Sequence, residues 1–161
     1  MLANGASSAT SAGWSTGGGD PPFAFTWNQL GTPSGGTGPS AGVDGAGSYY
    51  FAEASSRDVG DVFTLAYDGS ACSSLGLVIS TVAFHYHMYG SDIGELRVTS
   101  ADGQAVWSLS GNQGDAWIDV SVDVYSSSFA FEYTRGGGYL GDAAVAQVAA
   151  IPPPCPAATP L

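Results

Sequence analysis

Apolar and polar residues alternate along much of the central part of the chain. Ile118, Val120, Val122 and Val124 are each separated by one mostly polar residue. Because successive side chains of a β-strand point to opposite faces of a sheet, this period of two predicts a half-buried antiparallel strand. The same reasoning predicts further strands at 23–27, 49–53, 62–67, 84–88, 96–100, 104–109, 129–134 and 143–149.

Turn-forming residues separate these predicted strands. Asp102 and Gly103 form a hairpin signal, and 112–114 separates the next two strands. Such short links join antiparallel neighbours, whereas the glycine-rich stretch 31–47 predicts a long loop. We find no convincing helical pattern. The spacing of strands and turns therefore predicts an all-β fold, either a β-sandwich or a jelly roll.

The length and composition indicate one folded domain with two polar ends. The chain has 161 residues, enough to bury a core without metal ions. Residues 1–22 are almost entirely Gly, Ala, Ser and Thr, and 152–161 is rich in proline. We therefore predict a Gly/Ser-rich N-terminal segment at 1–22, a β domain at 23–151, and a C-terminal tail or linker at 152–161. Both ends are candidates for O-linked sugars.

The charge excludes several classes of partner. The net charge is −11, and the three basic residues are Arg57, Arg97 and Arg135, with no lysine. A chain without a basic patch cannot neutralise a run of phosphates, so we expect no nucleic acid partner. An anionic membrane surface would repel it, and no apolar run is long enough to predict membrane insertion.

The sequence offers little catalytic chemistry. Ser and Thr are abundant without marking a nucleophile beside a base, and the acidic residues mark no particular pair, so we predict a protein that is not an enzyme and has no cofactor. His85 and His87 share a strand face, where a structural pair is favoured over a metal site. Calcium is the better metal hypothesis, because oxygen ligands are plentiful. The candidate calcium ligands are Asp44, Glu53, Asp58 and Asp142.

Exposed aromatic rings and the two cysteines are the other candidates. Tyr89, Trp117 and Tyr139 are candidates for an interface or for stacking on sugars, although for any single ring a place in the core is favoured. Cys72 and Cys155 are compatible with one disulfide in an oxidising compartment or with two unpaired buried thiols.

Several motifs together resemble the MAM domain family. Residues 84–90 read FHYHMYG and are followed by GELRV at 94–98. Further motifs occur in the family's order at 37–40, 47–55, 106–111, 114–117, 131–136 and 141–145. The resemblance covers about 26–148. It implies a jelly-roll β-sandwich of two antiparallel sheets and an extracellular, non-catalytic module that mediates adhesion and self-association; some members bind a cation.

The chain departs from the animal members of this family in two respects. It has two cysteines where they usually have four, and Ala146 and Gln147 replace an acidic pair that commonly closes the last strand. We therefore expect a microbial or algal variant with a weakened cation site. We predict a bridge between Cys72 and Cys155, which would pin the Pro-rich tail to the sandwich.

The function predicted from these features is structural adhesion outside the cell. Copies of the chain, or neighbouring domains, would contact its sheet surfaces and tails in a surface coat or filament. Two alternatives remain: a carbohydrate-binding module that uses the aromatic rings, and an accessory domain of a larger secreted enzyme.

Overall fold

The segments in which apolar and polar side chains alternate form β-strands. The computed structural model describes residues 13–17, 21–70 and 75–151. Its strands are β1 (Trp14–Thr16), β2 (Phe23–Ala24), β3 (Thr26–Asn28), β4 (Tyr49–Ala52), β5 (Val62–Asp68), β6 (Ile79–Met88), β7 (Glu95–Ser100), β8 (Ala105–Ser110), β9 (Ile118–Ser126), β10 (Ser128–Thr134) and β11 (Ala143–Ile151). A short 3-10 segment, Val43–Gly45, lies within loop 31–47.

The strands form two sheets that face each other. The first sheet has the order β1-β5-β10-β7-β8, and the second has the order β3-β4-β11-β6-β9. Every described pairing is antiparallel except that of β2, which lies parallel to one end of β5. The prediction of an all-β sandwich of the jelly-roll type, with two antiparallel sheets, is confirmed.

The core lies between the sheets and follows the alternation. Phe129, Phe131 and Tyr133 of β10 are buried, and the residues between them are half-exposed. On β9, Val122 and Val124 are buried, whereas the aspartates on the other face are exposed. Burial of these apolar side chains is the main stabilising contribution to such a sandwich.

A loop covers part of the outer face of the second sheet. All four residues of β4 are buried, so this strand does not show the one-sided pattern of a sheet that faces water. Tyr49 and Phe51 point away from the main core and pack with Ala144, Ala146 and Val43, the last from loop 31–47. Trp117 packs against the same cluster. The loop therefore acts as a third layer, and the candidate sites lie where it meets the sheet.

The N-terminal part of the fold differs from the prediction. Trp14–Thr16, within the segment 1–22, forms β1 and pairs with β5. The Trp14 ring packs edge-on against Tyr67 and Phe129, at centroid distances of 5.2 and 5.7 Å. The predicted strand at 23–27 is divided at buried Phe25, so that β2 belongs to the first sheet and β3 to the second. The chain thus crosses between the sheets at this point.

Candidate functional site

A buried carboxyl group, Asp142, lies at the start of β11. Its backbone N–H donates to Thr37 Oγ1 at 2.8 Å, and its Oδ1 accepts from the Ala54 N–H at 2.9 Å. Its Oδ2 is buried and has no hydrogen-bond partner among the described residues. Burial raises the pKa of Asp142 to about 7; the Ala54 N–H opposes this rise, and the neighbouring Glu53 carboxylate adds to it. An unpartnered buried oxygen of this kind calls for a proton or a cation.

Short-range contacts within loop 31–47 hold it against the Asp142 carboxyl group. Thr32 Oγ1 donates to the Thr37 carbonyl at 2.8 Å, which closes the loop on itself. Gly38 has φ of +64°, and a Cβ atom at this position would lie 2.5 Å from Thr32 Oγ1 and 3.1 Å from the Asp142 Cβ. Only glycine therefore fits this turn without strain. The strand register brings Glu53 to the same place. Ala143 of β11 pairs with Ala52 of β4, so the adjacent residues Asp142 and Glu53 lie side by side.

The four predicted calcium ligands do not form one group. Glu53 and Asp142 are neighbours. Asp44 is exposed in the 3-10 turn, and Asp58 is exposed in the loop between β4 and β5. Among residues 13–17, 21–70 and 75–151, no three His, Cys, Asp or Glu side chains are grouped so that they could hold a metal ion. The structure therefore brings together two of the four predicted residues, and their role as calcium ligands stays a prediction.

A second site is a pocket of about 170 Å³ between loop 31–47 and the second sheet. His87 of β6 is 2% exposed, and its Nε2 lies 3.2 Å from Asp115 Oδ1. Burial lowers the pKa of His87, and the Asp115 carboxylate opposes this change. The His87 Nδ1 is buried without a hydrogen-bond partner in the described part of the chain. Asp44 and Trp117 also line the pocket.

Trp117 forms one wall of this pocket. Its ring lies 5.3 Å from that of His87 and 5.6 Å from that of Tyr49. Its Nε1–H donates to the Ala41 carbonyl at 2.9 Å, which ties the loop to the sheet. Trp117 is one of the contact residues predicted from the sequence, whereas His87 and Asp115 pair across 28 positions, so no local sequence signal marks them.

The other aromatic candidates are not assembled into a platform. Tyr89 is half-buried, with its ring 6.5 Å from that of His87. Tyr139 is 58% exposed and Tyr125 is 71% exposed. Sequence analysis missed Tyr125, although the alternation in β9 places it on the same polar face as Asp123.

Both cysteines, Cys72 and Cys155, lie outside the described residues. Their bridge stays a prediction.

The two antiparallel sheets define a jelly-roll β-sandwich domain. Residues 8–156 match the family described as "MAM domain, meprin/A5/mu", and the chain belongs to this family. It is therefore an extracellular or cell-surface module.

Comparisons with known proteins agree with this assignment. The chain is 38% identical over 148 residues to human MAM domain-containing glycosylphosphatidylinositol anchor protein 1, covering 83% of this chain and 15% of that protein. It is 30% identical over 125 residues to neuropilin-1 of Xenopus laevis, covering 68% of this chain and 12% of that protein. The chain thus spans a small part of the curated relatives that it matches. These relatives are vertebrate proteins, and the microbial or algal origin stays a prediction.

Solved structures show the fold alone. The K1 cleaved adhesin domain of Lys-gingipain from Porphyromonas gingivalis W83 superposes with a TM-score of 0.54 at 12% identity, covering 85% of this chain and 89% of that one. Its K2 cleaved adhesin domain gives the same TM-score at 13% identity, covering 89% of this chain and 92% of that one. Among the described residues, no helix has the length and apolar character that crossing a membrane requires.

Proposed function

We propose that this MAM domain is a non-catalytic module that self-associates through the free edge of its first sheet. The observation that carries the proposal is β8, which ends that sheet and pairs only with β7 among the described strands. Natural sheets commonly protect such edges with charged residues or proline. The sequence of β8, AVWSLS, contains neither.

The register of β8 determines which backbone groups are free. The Gly111 N–H donates to the Gly94 carbonyl at 2.9 Å, and Leu96 lies opposite Leu109. Because hydrogen-bonded and non-hydrogen-bonded pairs alternate in an antiparallel ladder, the amides of Trp107 and Leu109 face β7. The N–H and C=O groups of Ser108 and the N–H of Ser110 then face outward, whereas the Ser110 carbonyl already accepts from Gln113 Nε2 at 3.0 Å. A second β8 strand can accept and donate hydrogen bonds there.

Pairing of two β8 edges would produce a dimer. Two β8 strands that pair antiparallel are related by a two-fold axis, so the contact closes on itself. A filament or surface coat, which we also propose for the full assembly, needs a second contact between unlike surfaces. The role as an accessory domain of a larger secreted enzyme stays an alternative.

A substitution of Ser108 tests the edge contact. Proline removes the outward N–H of Ser108 without removing an amide that pairs with β7. We expect sedimentation velocity to show concentration-dependent dimers for the wild type and for Ser108→Ala, which keeps the N–H, but monomers for Ser108→Pro. If Ser108→Pro does not fold by circular dichroism, Ser108→Lys replaces it. Dimers that persist in the folded edge variant, or a wild type that stays monomeric, would overturn the proposal.

We also propose that the pair Glu53 and Asp142 holds a calcium ion. The support is the unpartnered Asp142 Oδ2 beside a second carboxylate, with the Thr32 hydroxyl nearby. Carboxylate and hydroxyl oxygens are the hard ligands that calcium takes. A bound cation would stabilise the folded state by neutralising the two carboxylates.

Calcium binding is tested by thermal unfolding with and without CaCl₂. We expect calcium to raise the Tm of the wild type and of Asp58→Asn, a matched loss of one exposed carboxylate, but not that of Asp142→Asn. An equal rise in all three would mean general screening of charge and would count against the site.

A further inference from the structure

The outer face of the second sheet and the loop above it carry uncompensated negative charge. Four exposed aspartates lie on this side: Asp44, Asp115, Asp119 and Asp123. The chain has no lysine, and its three arginines are engaged in other contacts.

Each arginine has an identifiable contact away from this face. Arg57 lies over the Phe23 ring at 4.2 Å. Arg97 is paired with Glu132 on the first sheet at 2.8 Å. Arg135 is buried, and its Nε donates to the Ala54 carbonyl at 2.8 Å.

The pocket between loop 31–47 and the sheet concentrates acceptor groups. Asp44 and Asp115 contribute carboxylates, and neutral His87 that donates Nε2–H to Asp115 keeps a lone pair on Nδ1. His87 lines the pocket and is 98% buried, and its Nδ1 has no hydrogen-bond partner among the described residues. The indole N–H of Trp117 is already used by Ala41. The two carboxylates and the His87 Nδ1 are therefore acceptors to which a cationic group would donate.

We propose that this pocket receives a lysine or arginine side chain of a protein partner. Its volume of about 170 Å³ equals roughly five or six water molecules, which suits one side chain and not a folded segment. The carboxylates complement the positive charge, and the Trp117 wall offers a cation–π contact. A second copy of this chain is a poor source of the cation, because its arginines are already in contact with other groups.

This inference goes beyond the β8 contact and is tested separately from it. The edge variant Ser108→Pro leaves the pocket unchanged, so it should bind the cationic probe as the wild type does. If Ser108→Pro loses its dimers but binds the probe, the pocket assignment is supported. If the wild type forms dimers but does not bind the probe, only the edge contact is supported.

The probe is n-butylammonium chloride, titrated into the full chain at constant ionic strength with NMR detection of the Trp117 indole Nε1–H. We expect a saturable shift with n-butylammonium and none with the neutral analogue n-butanol. Asp115→Asn and Asp44→Asn should each weaken binding by about fivefold or more. Asp58→Asn, which loses the same charge outside the pocket, should bind within about twofold of the wild type.

Three outcomes would overturn the proposal. One is the absence of a saturable shift with the folded protein. Another is an equal loss of affinity in Asp58→Asn and Asp115→Asn, which would show non-specific attraction to the net charge. The third is a shift with calcium but with neither n-butylammonium nor n-butylguanidinium, which would make the pocket a site for an inorganic ion.

Discussion

Tyr133 and Tyr50 are both buried, but only the Tyr133 hydroxyl has hydrogen-bond partners among the described residues. Tyr133 Oη accepts from the Gly94 N–H at 2.9 Å and donates to the Gly141 carbonyl at 2.5 Å. Burial raises the pKa of Tyr133 to about 12. Tyr50 Oη is buried without a partner among the described residues. Replacement by Phe should therefore destabilise the fold at Tyr133 but not at Tyr50.

We expect Tyr133→Phe to lower the free energy of unfolding by about 1–3 kcal/mol, because it removes the partner of the half-buried Gly94 N–H and of the buried Gly141 carbonyl. Tyr50→Phe should be neutral or slightly stabilising, because it removes an unsatisfied polar atom. Urea denaturation followed by fluorescence measures both values. Equal effects would mean that these hydrogen bonds do not distinguish the two sites.

The raised pKa of Asp142 makes the free energy of unfolding fall as pH rises, whereas an ion-paired carboxylate makes it rise. Its folded-state pKa of about 7 lies above the ordinary value of 3.8, so the folded state binds more protons between these values. In the absence of divalent cations, stability should therefore fall as pH rises from about 4 to 7, by an amount on the order of 4 kcal/mol.

Urea titrations of the wild type and Asp142→Asn in EDTA, from pH 4.5 to 8, test this dependence. The amide keeps an acceptor for the Ala54 N–H and has no charge to bury, so the variant should lose this component of the pH dependence. Parallel pH profiles for the two proteins would contradict the assignment. Added calcium should reduce the difference between them, because a bound cation favours the ionised carboxylate.

At the scale of elements, alternation explains the strands that were predicted correctly. β9 and β10 each have one buried face, opposite an exposed face on most of β9 and a half-exposed face on β10, which is the condition under which a period of two appears in a sequence. β4 lacks this pattern because loop 31–47 covers its outer face. β1 is three residues long and owes its position to the Trp14 contacts with distant rings, so no local pattern marks it.

The candidate sites were predictable to a smaller extent. Glu53 and Asp142 could be selected as oxygen ligands, but their proximity depends on the pairing of β4 with β11, which joins positions about 90 residues apart. The pocket at His87 depends in addition on where the loop folds back. Residue types therefore identified candidate ligands, whereas the tertiary fold decided which of them meet.

The covering loop has its own test. Gly38→Ala would place a Cβ atom 2.5 Å from Thr32 Oγ1 at a φ of +64°, so we expect destabilisation of about 1–3 kcal/mol. Gly35→Ala is the matched control in the same loop, because nothing lies within 4 Å of its added Cβ and its φ is not positive. Thermal unfolding should show a lower Tm for Gly38→Ala alone. A similar Tm for both variants would show that the Gly38 turn does not hold the loop in place.

For the whole molecule, net charge opposes the association that we propose. A charge of −11 on each copy makes two copies repel each other, and the repulsion is screened within about 8 Å at physiological ionic strength. Pairing of β8 edges must therefore overcome this repulsion through backbone hydrogen bonds and buried side chains. Self-association should be stronger at high salt and weaker at low salt.

Hydrogen exchange of the β8 amides, measured by NMR at low and high protein concentration in 0.5 M NaCl, is the most direct test of this edge contact. The Ser108 and Ser110 amides should exchange rapidly in the dilute monomer and slowly at high concentration. Trp107 and Leu109, whose amides already pair with β7, should be protected at both concentrations and serve as the internal control. Association that leaves Ser108 and Ser110 unprotected, or a protein that stays monomeric throughout, would contradict self-association through β8.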